Sequence, residues 1–418
     1  MLYTEAKKFT DGLAARGIAP GLGNISALMS ELGDPQDRIK TVHIAGTNGK
    51  GSVGAFLEAI LKSAGYSVGR FSSPAVAEHL EMFTINGTPV SGSDYAECIE
   101  RLIKPITVLE NRGIYITSFE AETAAAFLLF EKHMPDHTII ECGMGGRLDS
   151  TNVLKAPELS VITSVSLDHT AFLGDDLKSI ALEKAGIIKR GVPAVTAEQS
   201  GEVTDVLRDA AAKMDTTLYI ACHPENIRYS DTGTVFDLGD TKSLEISLPG
   251  TYQLKNAAAA VKAAEVLGIG DDAIRRGLIS AKWGFRFERI GKFILDGAHN
   301  PAAAAELAAS AGIYLSGSTA IICGCFKDKD YAGIAEHTAH IAGHVYTVTP
   351  PGQRGLNAGI LAGEFIKNGV PAKSCGSIAE AAAEACGFDN VLIFGSLSIL
   401  AEAKRVIDLT NQTKGADK

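Results

Sequence analysis

Apolar runs rich in β-branched residues alternate with segments of helical periodicity along most of this chain. In the first half, such runs predict strands at 41–45, 67–71, 138–142, 159–165 and 193–196. The segments between them predict helices at about 52–64, 94–111, 119–132 and 176–188. Strands that alternate with helices are typical of βα units around a parallel sheet. The pattern therefore predicts an α/β fold with a mainly parallel sheet.

The pattern changes beyond residue 200. Short β-prone runs between 217 and 248, separated by Asp-Thr-Gly and Gly-Asp turns, predict a small antiparallel flank, and a helix is predicted at 252–267. A second α/β series follows, with strands predicted at 292–296, 319–323, 344–348 and 391–394. Its helices are predicted at about 301–311, 330–341, 357–367, 377–386 and 396–408. We therefore predict two domains, residues 1–285 and a smaller, Rossmann-like domain at 286–418.

Composition narrows the class of protein. The chain has 418 residues, of which 46% are hydrophobic and 21% charged, and its net charge is −10. This balance fits a globular protein with large cores and argues against nucleic-acid or membrane partners. Seven cysteines without a repeated spacing fit a reduced intracellular set, and neither a secretory signal nor a membrane-spanning stretch is visible. We expect a cytoplasmic protein.

Residues 43–52 read HIAGTNGKGS and carry the clearest chemical signal. A β-rich run ends in a glycine-bracketed turn that contains Lys50, and a helical pattern opens at Ser52. Glycines let backbone N–H groups close on an anion, the helix N-terminus adds positive potential, and the lysine reaches the outer phosphates. The spacing differs from the standard P-loop, whose first glycine would fall at Ile44, and a glycine-rich turn without a ligand is the alternative. We predict a P-loop-type ATPase domain that binds a nucleotide.

Polar residues follow two later strands at the expected carboxyl edge of the sheet. Glu141 ends the strand at 138–142 beside a glycine loop, where a carboxylate can bind Mg²⁺ directly or through water. Its alternative role is that of a capping or solvated acid. Asp168 and His169 follow the strand at 159–165, at the edge where ligands bind in open α/β sheets. From position alone, a structural histidine is about equally expected at 169.

Six motifs together resemble one known family. In order along the chain they are HIAGTNGKGS, ECGMGGRLDSTNV, ITSVSLDHTAFLG, EKAGIIK, LPGTYQLKNAAAAV and LDGAHNP. They look like those of the folylpolyglutamate synthase and dihydrofolate synthase family, which belongs to the Mur ligase superfamily of ATP-dependent amide-forming ligases. The resemblance covers essentially the whole chain.

The resemblance implies a site shared by the two domains. It places the ATP phosphates at Gly49, Lys50, Gly51 and Ser52, and further nucleotide contacts at Asn256, Arg286 and Asp296. It implies magnesium ligands at Ser73, Glu141 and His169, and a carbamylated lysine at Lys184 that binds a second Mg²⁺. His299 would approach the reacting phosphate from the second domain. Without the resemblance, Lys184 reads as a solvated helix lysine, Asn256 as a capping or helix-face residue, and 296–301 as a strand-to-helix turn.

The implied substrates are ATP, L-glutamate and either a folate or dihydropteroate. The substrate carboxylate attacks the γ-phosphate of ATP to give an acyl phosphate and ADP, and the glutamate amine then displaces phosphate to form an amide. Closure of two domains would keep water away from the acyl phosphate. Lys50, Lys184 and His299 are the residues expected to take part in catalysis. We expect the enzyme to be a monomer.

The segment after Ser73 departs from the family pattern. Ala75 stands where relatives usually have a ring and Met82 where they have arginine, whereas Glu81 is retained. Lys155 stands where some relatives that use dihydropteroate have an acid, which favours glutamate addition to a folate. The segment TSFEAETAAAF fits either a border of the folate site or an N-capped helix. Two alternatives stay open, a Mur-type ligase for another acid and a non-catalytic ATP-binding regulatory paralogue.

Overall fold

Two separate β-sheets, each packed against helices, organise the chain. The computed structural model describes residues 1–230 and 233–416, with the backbone alone over 410–416. The first lobe contains the elements up to residue 280, and the second lobe contains those from residue 288 onwards. Within the described ranges, no helix is long and apolar enough to cross a membrane.

The first lobe carries the longer series of elements. Its helices are α1 (Tyr3–Gly12), α2 (Gly23–Glu31), α3 (Lys50–Ser63), α4 (Gly92–Glu110), α5 (Ser118–His133), α6 (Thr170–Leu173), α7 (Leu177–Ala185), α8 (Gly201–Lys213), α9 (Tyr252–Val266) and α10 (Asp271–Ser280). Its strands are β1 (Thr41–Ala45), β2 (Val68–Phe71), β3 (Phe83–Ile85), β4 (Thr88–Pro89), β5 (His137–Glu141), β6 (Leu159–Ile162), β7 (Ala194–Thr196), β8 (Leu218–Ile220), β9 (Pro224–Ser230), β10 (Gly233–Leu238) and β11 (Thr241–Ile246).

The second lobe repeats the alternation on a smaller scale. Its helices are α11 (Pro301–Tyr314), α12 (Tyr331–Thr338), α13 (Ala358–Lys367), α14 (Ile378–Glu384) and α15 (Leu397–Ala416). Its strands are β12 (Glu288–Ile290), β13 (Phe293–Leu295), β14 (Thr319–Cys323), β15 (His344–Thr347), β16 (Ala372–Ser374) and β17 (Asn390–Phe394).

The large sheet of the first lobe has the strand order β4-β3-β2-β5-β1-β6-β7-β8. Its strands are parallel from β2 to β8, and β3 and β4 add an antiparallel edge. Strands β9, β10 and β11 form a separate antiparallel sheet. The sheet of the second lobe has the order β12-β13-β17-β14-β15-β16 and is parallel except for β12. These sheets confirm the predicted α/β fold.

Complete burial explains why the central strands read as unbroken apolar runs. Every residue of β1, β5 and β6 is buried, as expected when helices cover both faces of a parallel sheet. Over Val42 and Ile44 of β1, helix α3 packs against α9, whose Ala257–Ala260 run is buried. Small side chains let these two helices approach closely, which fixes α3 and the loop that precedes it.

Several predicted bounds differ from the structure by a few residues, and two differences concern the small antiparallel sheet and the loop before α3. Strand β8 pairs in parallel with β7 and forms an edge of the large sheet, so the antiparallel flank consists of β9 to β11 alone. Helix α3 begins at Lys50 rather than at Ser52, because Gly49 already turns the chain into the helix with a φ of 89°. The predicted Asp-Thr-Gly turn includes residues 231 and 232, which lie outside the described residues.

Several elements have no counterpart in the sequence-based prediction. They are α1, α2, α6, α8, α10, β3, β4, β12 and β16. The four strands have two or three residues each, too few to show a periodic pattern. The domain boundary predicted between residues 285 and 286 falls in the segment that joins the lobes, and it stays a prediction.

Candidate active site

The loop between β1 and α3 lies at the carboxyl edge of the large sheet. Lys50 folds back over this loop, and its Nζ donates to the carbonyl oxygens of Gly46 and Thr47 at 3.1 and 3.3 Å. The loop is joined to the segment after β6, where the Thr47 amide donates to Ser164 at 2.8 Å and the Thr163 hydroxyl donates to the Asn48 carbonyl at 2.7 Å. The loop is therefore held in place before any anion binds.

Two glycines in this loop are required by close contacts. A Cβ on Gly46 would lie 1.8 Å from Thr163 Oγ1, and a Cβ on Gly49 would lie 2.2 Å from Asn256 Oδ1. Gly49 also has a left-handed φ of 89°, which side chains rarely adopt. Asn256, on α9, thus lies directly against the loop.

The first turn of α3 is in close contact with a tryptophan ring. Trp283, the only tryptophan of the chain, lies against Gly51, with its Nε1 2.8 Å from where a Cβ would stand. Ser52 is buried, and its hydroxyl has no hydrogen-bond partner among the described residues. A buried hydroxyl at a helix N-terminus is suited to bind an anion or an ion associated with it.

Glu141 ends β5 directly beside β1, in register with Ile44. Its side chain is 8% exposed. Burial raises the pKa of this carboxyl, and the positive charges of Lys50, Arg70 and Arg286 oppose that rise. Glu141 is therefore a buried acid surrounded by cations, next to the loop that carries Lys50.

Ser73 follows β2, the strand on the other side of β5. The pairing of Phe71 with Ile140 brings the ends of these strands together, so Ser73 and Glu141 leave the sheet at the same edge. Among the side chains that the structure describes, in residues 1–230 and 233–409, none forms a hydrogen bond or ion pair with the Ser73 side chain. The fold thus brings Ser73 to the edge that carries Glu141 without tying its hydroxyl to another described group.

Lys184 lies near the C-terminal end of α7 and is 2% exposed. Burial, together with the charge of Lys50, lowers the pKa of its ammonium to about 7. The glycine loop after β5 covers this end of α7, because the Arg147 amide donates to the Glu183 carbonyl at 2.7 Å. A solvated lysine, the alternative interpretation of position 184, is wrong.

His169 stands at the start of α6 with a left-handed φ of 51°. Burial lowers the pKa of its imidazole to about 4, and the neighbouring Asp168 carboxylate offsets only part of this effect. The imidazole is therefore neutral near pH 7, which is the form that binds a metal ion. The charge of Lys50 also acts on His169, so both belong to the same group of residues.

Asp168 joins the lobes. Its carboxylate accepts from Lys329 Nζ at 2.6 Å and from Asn300 Nδ2 at 3.0 Å, and His299 Nε2 lies 3.5 Å away. All three groups come from the second lobe. Burial alone would raise the pKa of Asp168, but His299 and Lys329 outweigh it and hold the pKa well below its usual range.

His299 and Asn300 occupy the turn between β13 and α11. His299 Nδ1 lies 2.8 Å from the Gly297 carbonyl, which leaves Nε2 directed at Asp168. Asn300 caps α11 by accepting from the Ala303 amide at 2.9 Å, and its Nδ2 lies 3.0 Å from Asn48 Oδ1 in the loop before α3. The strand-to-helix turn is thus also the point where the second lobe touches that loop.

Asp296 makes a second contact between the lobes. Tyr252 of α9 donates its hydroxyl proton to Asp296, and the amides of Phe287 and Ala298 each donate to the same carboxylate at 2.8 Å. Burial raises the pKa of Asp296, against the effect of these hydrogen bonds. The carboxylate is already engaged by protein groups, so its position is fixed before a nucleotide binds.

Arg286 lies between two strained residues. Phe285 and Phe287 have φ values of 58° and 50°, in the left-handed region that bulky side chains avoid. Arg286 Nη1 lies 2.3 Å from where a Cβ on Gly297 would stand. The charge of Arg286 acts on both Glu141 and Asp296. Such strain is typical of functional segments, and here it directs a cation between the two lobes.

Three residues at the contact between the two lobes have no predicted functional role. Asn48 lies inside the motif HIAGTNGKGS, Asn300 reads from sequence as a helix opener, and Lys329 lies in the charged run FKDKD. Asn300 and Lys329 lie more than 130 residues from Asp168 along the chain. From the sequence, Lys329 could have been noticed only as a lysine in the loop after a predicted parallel strand, and its partner could not be inferred.

The segment TSFEAETAAAF forms an N-capped helix. Glu120 Oε2 accepts from the Thr117 amide at 2.8 Å, and Thr117 Oγ1 accepts from the Glu120 amide at 3.3 Å, which is a capping box. Phe119 also packs against Gly143 in the loop after Glu141. This helix start thus borders the site, with Thr117 as its N-cap and Glu120 completing the capping box.

The donors at the carboxyl edge fit a hard cation such as Mg²⁺. Glu141 is a buried carboxylate that accepts no hydrogen bond from described residues, and a hydroxyl and a neutral imidazole leave the same edge. No group of three His, Cys, Asp or Glu side chains within the described ranges is arranged as a metal site. Any cation here would therefore also need oxygen ligands from Ser73, water or phosphate.

Two sequence profiles match this arrangement. The profile described as Mur ligase middle domain matches residues 44–264, and that described as Mur ligase, glutamate ligase domain matches residues 285–397. The fold and the site therefore define a ligase of the Mur type.

Individual relatives narrow this class. The dihydrofolate synthase/folylpolyglutamate synthase of Bacillus subtilis is 37% identical over 359 residues, 81% of this chain and 83% of the relative. A probable bifunctional folylpolyglutamate synthase/dihydropteroate synthase of Halobacterium salinarum is 36% identical over 97% of this chain, which spans 51% of that protein. The chain belongs to the folylpolyglutamate synthase/dihydrofolate synthase family and is an ATP-dependent ligase.

Solved structures agree with this assignment. Escherichia coli FolC in complex with DHPP and ADP matches with a TM-score of 0.88 and 30% identity, covering 98% of this chain and 99% of that one. The FPGS–AMPPCP–folate complex matches with a TM-score of 0.85 and 28% identity, covering 97% and 100% of the two chains. The resemblance inferred from the six motifs is confirmed.

Proposed function

We propose that this enzyme uses ATP to add L-glutamate to a folate such as tetrahydrofolate, with dihydropteroate as a further candidate acid. One observation carries the proposal. Lys50, Glu141, Lys184 and His169 gather at the carboxyl edge of the large sheet, where His299 and Asn300 meet them from the second lobe. Related structures that contain DHPP with ADP, or AMPPCP with folate, support a nucleotide and a folate as the bound pair.

We assign the nucleotide to the loop before α3. The amides of Gly49, Gly51 and Ser52 would bind the phosphates, and the Lys50 ammonium would move from the loop carbonyls to the outer phosphates. Asn256 and Arg286 would contact the remainder of the nucleotide from opposite sides of the loop. Asp296 would act by fixing the segment that carries Arg286, since protein groups already engage its carboxylate.

Ser73, Glu141 and His169 would hold Mg²⁺ at the edge of the sheet. When bound, the ion neutralises phosphate charge and so favours transfer of the γ-phosphoryl group. The buried position of Glu141, without a hydrogen bond from described residues, supports its part in this site. Removal of divalent ions with EDTA should abolish turnover and leave the fold intact.

Lys184 would hold a second Mg²⁺ after carbamylation. Burial keeps part of its amine neutral near pH 7. The nitrogen lone pair attacks carbon dioxide, the ammonium that forms loses a proton to water, and a carbamate anion results. An anion in this buried place suits a metal ion and phosphates, which an ammonium at the same position would disturb.

The reaction then follows from the position of these groups. The folate carboxylate attacks the γ-phosphate, ADP leaves, and the glutamate amine displaces phosphate from the acyl phosphate to form the amide. His299 would stabilise charge on the transferred phosphoryl group, and closure of the lobes would exclude water. We expect a monomer in the cytoplasm, and the seven free cysteines fit that compartment.

Release of ADP tests the proposal. The enzyme is mixed with ATP, Mg²⁺ and L-glutamate, and with tetrahydrofolate, dihydropteroate or no acid. We expect release that depends on glutamate and on one of the two acids, together with a product larger by one glutamyl residue. Lys50→Ala should remove this activity, whereas Lys62→Ala, an exposed lysine on the same helix, should retain it. Tight ATP binding without turnover on either acid would contradict the proposal.

A further inference from the structure

Residues 73–82, between β2 and β3, form a closed loop beside the site, which we name the bridging segment. Its ends meet where the Ser72 amide donates to the Met82 carbonyl at 3.0 Å. The segment begins at Ser73, at the edge of the sheet that carries Glu141. Any displacement of the segment therefore displaces Ser73 as well.

The bridging segment touches the cores of both lobes. Ala75 and Leu80 pack against the first-lobe core that contains Phe83 and Tyr95. Val76, the residue after Ala75, packs instead against a second-lobe core that includes Leu295 and Ile399. Two adjacent side chains thus enter different lobes, so the position of this segment influences how the lobes approach each other.

Glu81 fixes the segment from within. Its Oε1 accepts from the amides of Val76 and Ala77, the latter at 2.8 Å. The Glu81 amide in turn donates to the Glu78 carbonyl at 3.0 Å. These bonds hold Val76 in a turn, but they do not join the segment to the rest of the first lobe.

His79 adds polar contacts to the first lobe. Its Nε2 lies 3.0 Å from Glu122 Oε1 on α5, and its Nδ1 lies 3.3 Å from the Tyr3 hydroxyl on α1. The side chains of His79 and Glu122 are only 14% and 9% exposed. A neutral imidazole with its proton on Nε2 donates to Glu122 and accepts from Tyr3, so one tautomer satisfies both contacts.

Glu122 is itself held by the first-lobe core. The buried Tyr95 donates its hydroxyl proton to the Glu122 carboxylate at 2.9 Å. The ring of His79 contacts Tyr95 and Phe83 with centroid separations of 4.9 and 5.8 Å. The tether of the bridging segment is therefore anchored in rigid helices rather than in a surface loop.

We propose that His79 and Glu122 are positioning residues for the ligase reaction. They hold the bridging segment so that Ser73 stays at the carboxyl edge and Val76 stays in contact with the second lobe. This inference rests on the proposed function, because only that function assigns a role in catalysis to Ser73 and to closure of the lobes.

Amide exchange and kinetics together test the inference. In His79→Phe, which keeps a ring of similar size but loses both polar contacts, the Val76 and Ala77 amides should exchange about tenfold faster. The same variant should lose about tenfold in kcat while ATP affinity changes less than about twofold. Loss of one hydrogen bond to a charged partner is of this size. His79→Gln, which can still donate to Glu122, should recover most of both losses.

Controls separate this inference from the proposed function. Glu78→Gln alters an exposed acid of the same segment and should leave exchange and kcat unchanged. Tyr3→Phe removes only the weaker contact and should raise exchange about twofold, which keeps the test available if His79→Phe does not fold. Normal exchange, or normal kcat, in a folded His79→Phe variant would overturn the inference. An inactive wild-type enzyme would instead contradict the proposed function.

Discussion

Replacing Lys184 with methionine should make the first lobe more stable while removing activity. The Lys184 side chain is buried, and the pKa of its ammonium falls from 10.5 to about 7. At neutral pH the folded state therefore disfavours the charged form of Lys184, which lowers the free energy of unfolding. Methionine has a similar length and carries no charge, so it relieves this effect without leaving a cavity.

The size of the effect follows from the two pKa values. At pH 7, the shift from 10.5 to about 7 corresponds to about 4 kcal/mol of free energy of unfolding. Between pH 7 and 10.5 the unfolded chain binds more protons at this lysine than the folded chain does. The stability of the wild type therefore rises with pH across this window, and the advantage of Lys184→Met disappears near pH 10.5.

Thermal unfolding in buffer free of carbon dioxide measures this difference. Lys184→Met should unfold several degrees above the wild type at pH 7, with the gap closing as the pH rises. Lys178→Met, an exposed lysine on the same helix, should change stability by no more than about 0.5 kcal/mol. A Lys184→Met variant that is less stable than the wild type, or that keeps full turnover, would refute this reasoning.

Other substitutions give separate tests. Lys50→Ala should lower kcat by about a hundredfold or more, because a cation is lost where phosphate charge develops; steady-state ADP release measures this, and near-normal rates would argue against the loop assignment. Lys329→Met leaves Asp168 without its buried cation and should cost about 3 kcal/mol in unfolding experiments, whereas exposed Lys327→Met should cost little. Gly49→Ala should abolish nucleotide binding measured by calorimetry, because a Cβ at this position would lie 2.2 Å from the side-chain oxygen Oδ1 of Asn256. Unchanged nucleotide affinity would contradict the assignment of the nucleotide to this loop.

The phosphate loop and the central strands could be predicted from sequence because their signals are local. Strand β1 and strand β14 have the predicted bounds, since a buried parallel strand shows as an unbroken apolar run between turns. The glycines and Lys50 of HIAGTNGKGS lie within ten consecutive residues, so their arrangement can be read directly. The same holds for the capping box that opens α5.

The contacts between the lobes could not be predicted in this way. Lys329 and Asn300 reach Asp168 across 161 and 132 residues of chain, and no local pattern records such a pairing. The burial of Lys184 could not be predicted either. Its helix has charged neighbours that suggest exposure, and the residues that bury it come from the loop after β5. Strand β8 was assigned to the wrong sheet because three residues do not indicate a partner.

The path of oxygen from the folate carboxylate tests the proposed reaction most directly. Folate labelled with ¹⁸O in its terminal carboxyl is incubated with the enzyme, ATP, Mg²⁺ and L-glutamate, and the released phosphate is analysed by mass spectrometry. We expect one ¹⁸O atom in each phosphate formed, together with a product extended by one glutamyl residue, because attack on the γ-phosphate carries that oxygen into the acyl phosphate. Unlabelled phosphate released alongside the extended product would contradict it.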